Sequence, residues 1–230
     1  MSSILRSHAR NSLQLVSVPL SMTGHLLISR LGVDITWSTP TAPEVIANYA
    51  RGLVLFGRPG ARRAMFEWRS FPSRAVITRE TAKMPRALRP VLRRGELEIR
   101  FDQDFESIVD ACRRTGRTDW DWITPPLIGV YREVQELGFV RTVGTYRDGQ
   151  LVGGLWGLGV GGVFSIMSMF HRENNGGSVA LGGLVDGVMS GGRWSVIDCG
   201  QWKPHFYLYG AKEIPQQRFC ELVCENLQLG

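Results

Sequence analysis

The stretch that decides the fold is RTVGTYRDGQLVGGLWGLGVGGVFSIMSMF, residues 141–170. Its apolar and β-branched residues predict three strands, over residues 141–146, 151–160 and 163–170. Asp148-Gly149 lies at the centre of the first connection, and this dipeptide is a strong hairpin signal because both residues accept a positive φ. Gly161-Gly162 provides the second connection. We therefore predict three consecutive antiparallel strands.

The segments on both sides of this stretch complete the fold class. A helix is predicted upstream over residues 125–137, ending at Gly138, and another downstream over residues 178–189. A buried strand is predicted over residues 194–199, and residues 207–210 lead to a final turn or strand. Antiparallel strands that precede a central helix and a further strand predict an α+β protein.

The first half of the chain has weaker signals. Thr41 and Glu44 form a capping-box pattern that predicts a helix start. A second helix is predicted from Pro85 to a stop at Gly95, with a bend at Pro90, which removes a helical hydrogen bond. Residues 1–35 are poorly patterned, and we expect low order there.

Positive charge is concentrated in one segment. Residues 51–117 contain 16 Lys and Arg against 8 Asp and Glu, whereas residues 118–230 contain 8 against 11. A basic part beside a mildly acidic part indicates an anionic partner for the basic part, although a solvated surface would also explain it.

Cysteine use and hydropathy limit the class of protein. Cys220 and Cys224 are four residues apart without a nearby histidine cluster, which fits neither a zinc site nor a disulfide framework. We predict reduced structural thiols and no metal site. Apolar runs fall short of the ~20 residues that span a membrane, so we expect a cytoplasmic protein without membrane contact.

A series of short motifs carries a family resemblance over residues 122–215. The segments are Trp122-Ile123-Thr124-Pro125, Glu136-Leu137-Gly138, Leu151-Val152-Gly153-Gly154-Leu155-Trp156-Gly157, Ser168-Met169-Phe170, Ile197-Asp198-Cys199, Pro204-His205, Gly210-Ala211 and Glu213-Ile214-Pro215. In this order and spacing they resemble the leucyl/phenylalanyl-tRNA–protein transferases.

The resemblance implies a small N-terminal α+β domain followed by a domain with the GNAT-type acyltransferase fold. We accordingly expect a poorly patterned segment at residues 1–35, a basic N-terminal domain at 36–117 and a transferase domain at 118–230. The implied activity moves Leu, Phe or Met from its tRNA to the α-amine of a protein with N-terminal Arg or Lys, which marks that protein for degradation. The implied co-substrate is aminoacyl-tRNA, with no cofactor, and we expect a monomer.

The residues themselves suggest how such a reaction would proceed. An amine attacks an ester that is already activated on tRNA, so positioning and a neutral amine suffice and no covalent intermediate is required. Asp198 follows an apolar strand and is the candidate group for binding the attacking ammonium; an Asp that caps a turn is the alternative.

Two positions depart from the family pattern. Gly200 stands where the family has a Gln, and Gln201 follows one residue later. In a regular strand Gln201 would point away from Asp198, unless a bulge re-aims it. Met167 stands where the family has an acidic residue, which puts the family's acceptor in question.

The resemblance also implies the residues that hold the donor. Apolar residues would line the amino-acid pocket, at Leu155, Met169, Leu184 and Ile197. Without the resemblance, these residues would be interpreted as core. Phe56 and Trp122 match aromatic positions that stack on the terminal adenosine of tRNA.

Arginines around the predicted second helix match the family's basic helix, which contacts the acceptor stem: Arg86, Arg89, Arg93 and Arg94. Contacts of this kind are sensitive to salt and insensitive to base sequence. Two alternatives to transfer onto proteins stay open: the same donor with a different amine, such as a small molecule in a biosynthetic pathway, and a non-catalytic tRNA-binding homologue.

Overall fold

The computed structural model describes residues 25–28, 32–60, 63–115 and 121–227. The elements of the first half are β1 (His25–Ile28), β2 (Val33–Thr36), α1 (Ala42–Ala50), β3 (Val54–Gly57), β4 (Phe66–Arg69), β5 (Ser73–Thr78), α2 (Leu88–Arg94), β6 (Glu98–Phe101) and α3 (Phe105–Arg114). Those of the second half are α4 (Pro125–Glu136), β7 (Val140–Arg147), β8 (Gln150–Val160), β9 (Val163–His171), α5 (Gly176–Met189), β10 (Val196–Asp198), α6 (Pro204–Tyr207), β11 (Lys212–Pro215) and α7 (Gln216–Leu227).

Two sheets organise these elements. A four-stranded antiparallel sheet has the order β1-β2-β4-β3, and a seven-stranded sheet has the order β11-β5-β10-β9-β8-β7-β6. All neighbours in the larger sheet are antiparallel except β9 and β10, which are parallel and are connected through α5. The predicted α+β class is therefore confirmed, and β7–β9, α5 and β10 follow one another as expected for a GNAT-type domain.

Apolar side chains cover both faces of the seven-stranded sheet. One core lies between this sheet, the smaller sheet and α1, α3 and α4. A second core lies beneath α5, and a third, smaller one lies between β5, β9, β10 and α7. The central strands are consequently buried on both faces, which agrees with the near-continuous apolar sequence of β8.

Several local predictions are confirmed. Asp148 and Gly149 have φ of 49° and 77°, the conformation that a tight hairpin turn needs. The Thr41 N–H donates to the Glu44 carboxylate at 2.7 Å, so the capping box starts α1 as predicted. The predicted strands between residues 141 and 170 correspond to β7, β8 and β9.

Other predictions need correction. The second helix, α2, begins at Leu88 and not at Pro85, so Pro90 lies in its first turn, where a missing N–H breaks no helical hydrogen bond. Arg86 therefore precedes the helix and does not share its face. The chain also ends in a helix, α7, which the sequence analysis did not predict.

The domain division at residues 117 and 118 stays a prediction, although β5 and β6, from before it, belong to the same sheet as β7–β11. Most of the segment 1–35 lies outside the described residues. Within that segment, β1 and the first part of β2 form an antiparallel pair in the smaller sheet.

Candidate active site

The parallel strands β9 and β10 pair over three residues and then separate. Val163–Ser165 pair with Val196–Asp198, while β9 continues to His171 and β10 ends. Beyond the paired region, residues 166–169 of β9 are half-buried although the strand lies inside the sheet. A strand that loses its neighbour leaves backbone groups available to a ligand. We call this opening between β9 and β10 the strand cleft and take it as the candidate active site.

A β-bulge shapes the β9 wall of the strand cleft. Trp156 pairs with Ser168 and Gly157 pairs with Ile166, so Met167 is the extra residue. Bulges re-aim side chains and are frequent beside active sites. Here Ile166 packs on the α5 face of the sheet, whereas Met167 packs on the face covered by α3 and α4. The wall of the strand cleft therefore contributes side chains to both faces.

The four residues predicted for the amino-acid pocket are brought together on the α5 face. Leu155, Leu184 and Ile197 are buried in one cluster, and Met169 packs against it. Leu155 and Met169 are cross-strand partners. Met169 is the half-buried member of this group and lies on the unpaired part of β9; the substrate role of the group stays a prediction.

The predicted adenosine-stacking residues are also brought together. The rings of Phe56 and Trp122 lie 4.9 Å apart between centroids, and Trp122 stacks on Trp156 at 6.3 Å. The Gly57 N–H donates to the Trp122 carbonyl at 3.0 Å. A Cβ at Gly57 would lie 2.2 Å from the Thr124 hydroxyl, so glycine permits this close approach. The aromatic row leads from the smaller sheet to the bulged part of β9.

Asp198 lies at the centre of a buried hydrogen-bond network. Its side chain is 1% exposed and forms an ion pair with Arg74, which is equally buried. Arg74 Nε donates to Oδ1 at 3.2 Å, the Gly200 N–H to Oδ1 at 2.8 Å and the Tyr49 hydroxyl to Oδ2 at 3.3 Å. Arg74 Nη2 and the Ser165 hydroxyl also donate to Oδ2. Five donors thus occupy the carboxylate, as a buried charge requires.

The Arg74–Asp198 pair lies on the opposite face from the apolar group. Ile197 belongs to the cluster under α5, and the next residue along a strand points to the other face. Arg74 lies over the ring of Phe219 on α7 at 4.6 Å, which places the pair on that second face. Direct contact between Asp198 and an acceptor amine stays a prediction, and the described geometry is that of a buried structural carboxylate.

Gln201 does not join this network. The Asp198 carboxylate takes its hydrogen bonds from other groups, and the Gln201 side chain is exposed. Gly200 has φ of 72°, so the chain turns there and the strand alternation assumed for Gln201 does not apply. The expectation that Gln201 does not simply replace the family's glutamine agrees with the absence of a shared hydrogen bond, and a catalytic role for Gln201 stays a prediction.

The basic residues are exposed around α2. Arg89, Arg93 and Arg94 lie on the helix and Arg86 lies in the turn before it. Arg94 pairs with Glu96 at 3.3 Å. The helix packs against α5 through Leu88, which leaves the guanidinium groups toward solvent. Their arrangement is compatible with phosphate contacts, which remain a prediction.

The sequence analysis missed Arg74, Tyr49 and Ser165 as site residues. Arg74 begins an otherwise apolar run in β5, and a charged residue in a buried strand needs a partner. That signal was available in the sequence, but the partner is 124 positions away in the chain. Burial, with the Asp198 charge as the second cause, raises the pKa of Tyr49 well above its usual value, so its hydroxyl stays a donor.

Among the described residues, no group of three or more His, Cys, Asp and Glu side chains could hold a metal ion. None of the described helices combines the length and apolar character that a membrane crossing requires.

Comparison with known proteins adds to this geometry. The model of the family described as "Leucyl/phenylalanyl-tRNA protein transferase" matches residues 76–224, which include the strand cleft. A protein of that name from Rubrobacter xylanophilus is 35% identical over 189 residues, 81% of this chain and 95% of the relative. Relatives of the same name from Dechloromonas aromatica and Syntrophobacter fumaroxidans are 34% and 36% identical, over 76% and 70% of this chain and 74% and 69% of their own lengths.

Proposed function

Because the chain belongs to the leucyl/phenylalanyl-tRNA–protein transferase family, we propose that it transfers an apolar amino acid of the Leu, Phe or Met type from tRNA to the α-amine of a protein with N-terminal Arg or Lys. The observation that carries this proposal is the family match across β8, β9 and β10, the strands that form the strand cleft and its walls. The relatives' names specify a protein acceptor, which favours this function over a small-molecule acceptor or a non-catalytic homologue.

The reaction is an aminolysis of an ester. The acceptor ammonium loses a proton, its nitrogen attacks the ester carbonyl, and a peptide bond forms. The ester C–O bond breaks, and the ribose hydroxyl of tRNA leaves with a proton. Because the ester is already activated, holding the amine and carbonyl at attack distance supplies most of what the reaction needs.

A covalent intermediate is not part of this proposal. Cys199 is the thiol next to Asp198, and it is 5% exposed. Burial raises its pKa well above the usual value, and the neighbouring Asp198 charge adds to this effect. A thiol that stays protonated is a poor nucleophile, which supports direct transfer.

The strand cleft gives each substrate a separate approach. We propose that the aminoacyl side chain enters on the α5 face beside Met169 and that the terminal adenosine binds at Phe56 and Trp122 on the other face. Met and Leu side chains adapt to unbranched or aromatic guests, and an apolar pocket separates guests that differ by a methylene by only ~1–3 kcal/mol. We further propose that Asp198 orients the acceptor amine in the strand cleft. We also propose that the reaction needs no cofactor and that the protein acts in the cytoplasm as a monomer.

The test offers the protein Leu-, Phe- and Met-charged tRNA together with a peptide that begins with Arg. The matched control is the same peptide with an acetylated N-terminus, which has no nucleophilic amine. We expect peptide extended by one residue, detected by mass, only with the free amine. Discharge of tRNA without extension, or no change while tRNA remains bound, would contradict the proposal and support the two alternatives instead.

A further inference from the structure

We infer that Arg58 and Arg69, oriented by the buried carboxylate of Glu67, bind the 3′-terminal nucleotides of the donor tRNA. In this inference Arg69 offers a planar surface to a base, and Arg58 pairs with a backbone phosphate. The inference rests on the proposed function because it names contacts to the same donor.

The three residues gather beside Phe56 on one face of the smaller sheet. Phe56 and Glu67 are cross-strand partners of β3 and β4. Arg69 is two residues beyond Glu67, and residues two apart on a strand share a face. The intervening Trp68 points to the opposite face and is buried in the core. The described strands therefore place the acid, the arginine and the aromatic ring side by side.

Glu67 is a buried charge whose role is orientation. Its side chain is 2% exposed and pairs with Arg58 Nη1 at 3.0 Å and with Arg69 Nε at 2.6 Å. Buried ion pairs of this kind rarely add net stability, because removing the charges from water costs about as much as the attraction returns. Each oxygen of the Glu67 carboxylate accepts a hydrogen bond from one arginine, and these charge-assisted hydrogen bonds fix the positions of both guanidinium groups.

The orientation places Arg69 against the aromatic pair. The Arg69 guanidinium carbon lies 5.2 Å from the centroid of Phe56, and Phe56 in turn contacts Trp122. The Arg69 side chain remains 23% exposed, so solvent reaches part of it. Guanidinium planes and aromatic rings are the groups on which unpaired bases stack in protein–RNA complexes.

The charge of the cluster favours an anionic ligand. Arg58 and Arg69 both pair with the single carboxylate of Glu67. Arg58 is 44% exposed, so its remaining N–H groups can donate to a ligand. A planar stacking surface beside a partly exposed cation matches the two parts of a nucleotide, its base and its phosphate.

The cluster also lies on a path to the strand cleft. Phe56 contacts Trp122, Trp122 stacks on Trp156, and Trp156 pairs with Ser168 beside the bulge of β9. A nucleotide bound at Phe56 would thus direct its ribose ester toward the strand cleft. Arg58, Glu67 and Arg69 lie outside the family-model match, which begins at residue 76.

The experiment compares two donors for one Arg-initiated peptide. One donor is 3′-O-phenylalanyl-adenosine, which has a base and no phosphate; the other is the oligonucleotide ACCA charged with phenylalanine. Arg69→Ala and Arg69→Lys should raise KM for both donors by about ten-fold, because lysine keeps the charge and loses the planar surface. Arg58→Ala should raise KM several-fold for the oligonucleotide only. The control Arg218→Ala, at an ion-paired arginine on α7 that is about as exposed as Arg58, should change neither.

Binding of uncharged ACCA, measured in parallel, separates the inference from the proposed function. If no donor supports transfer but wild type binds ACCA and Arg58→Ala and Arg69→Lys weaken that binding, the proposed function fails and the inference stands. If the wild type does not bind ACCA, or if both variants behave like Arg218→Ala with every ligand, the inference is overturned.

Discussion

The two faces of the seven-stranded sheet use arginine in opposite ways. Around α2, on the α5 side, Arg86, Arg89 and Arg93 are exposed on a helix and the turn before it. On the α7 side, Arg74 is 1% exposed and is paired with Asp198. An exposed guanidinium group stays hydrated and free to meet a phosphate, whereas a buried one must be matched inside the protein. The comparison teaches that exposure, and not residue type, separates arginines that are accessible to a partner from those that are paired within the fold.

The largest expected effect is the loss of the buried partner. Arg74→Met leaves the Asp198 carboxylate buried without its counter-charge, and removing one member of a buried pair typically costs ~3–5 kcal/mol. We expect the free energy of unfolding, measured in urea, to fall by about that amount. The double variant Arg74→Met/Asp198→Leu removes both charges and should recover part of the loss; the Tyr49 and Ser165 hydroxyls and the Gly200 N–H still lose their acceptor. If the double variant is as unstable as the single variant, Arg74 and Asp198 do not act as a matched pair of charges.

The second effect concerns turnover. Asp198→Asn removes the charge and keeps the shape, and we expect turnover to fall by about 10²-fold, the scale of a lost acid–base group. Binding of aminoacyl-tRNA should barely change, because Asp198 would act on the acceptor side.

The double variant described above sharpens this second prediction. If Arg74→Met/Asp198→Leu is folded and retains wild-type turnover, then the carboxylate does not act on the amine and serves only to match Arg74. Transfer should be measured well below the midpoint of unfolding for each variant, so that loss of fold is not counted as loss of chemistry.

The third effect belongs to the exposed face. Arg86→Ala, Arg89→Ala and Arg93→Ala together should weaken tRNA binding and flatten the dependence of log affinity on log salt by about two units, as expected for three lost phosphate contacts. Stability should change by less than about 0.5 kcal/mol per site. The matched control removes three other exposed arginines, Arg114, Arg132 and Arg218. Equal affinities for the two triple variants at low salt would refute a specific role of the residues around α2.

The smallest effect is that of Tyr49→Phe, which removes one hydrogen bond to Asp198 and should cost ~1 kcal/mol at neutral pH. The Tyr49 pKa is raised in the folded state above its ordinary value of 10.0, so the folded protein keeps this proton after the unfolded chain has lost it. The stability that Tyr49 contributes is therefore present below pH 10 and declines as the pH rises further. We expect the difference between wild type and variant to shrink above that pH in urea titrations.

Local signals in the sequence predicted much of this architecture. The Asp148-Gly149 turn and the apolar and β-branched residues around it predicted β7–β9, and the Thr41–Glu44 pattern predicted the start of α1, because both signals depend on neighbouring residues. The features that were not predicted depend on residues that are distant in the chain. The charge of Arg74 is explained only by Asp198, and the pairing of β5 with β10 joins segments that are far apart in the chain.

The candidate site, too, was predicted only in part from the sequence. The resemblance grouped Leu155 with Met169, and Phe56 with Trp122, and the structure places each pair in contact or on one face. The order of the motifs could not predict that these two pairs lie on opposite faces of the sheet. Nor could it predict that Asp198 lies on the face away from Leu155. It follows from the register of β10 against β9, in which adjacent residues point to different cores.

The place of β5 in the sheet has a consequence for the order of events during synthesis. β5, from residues 73–78, lies between β10 and β11, which end at residues 198 and 215. The edge of β5 that pairs with β10 therefore stays unpaired until residue 198 of 230 has been made, and the edge that pairs with β11 stays unpaired until residue 215. Non-local pairings of this kind form slowly, and unpaired strand edges are prone to aggregate in the interval. During most of its synthesis the chain must avoid incorrect pairing of β5, the strand that carries Arg74. The yield of folded protein therefore depends on the rate of correct pairing as well as on the stability of the final structure.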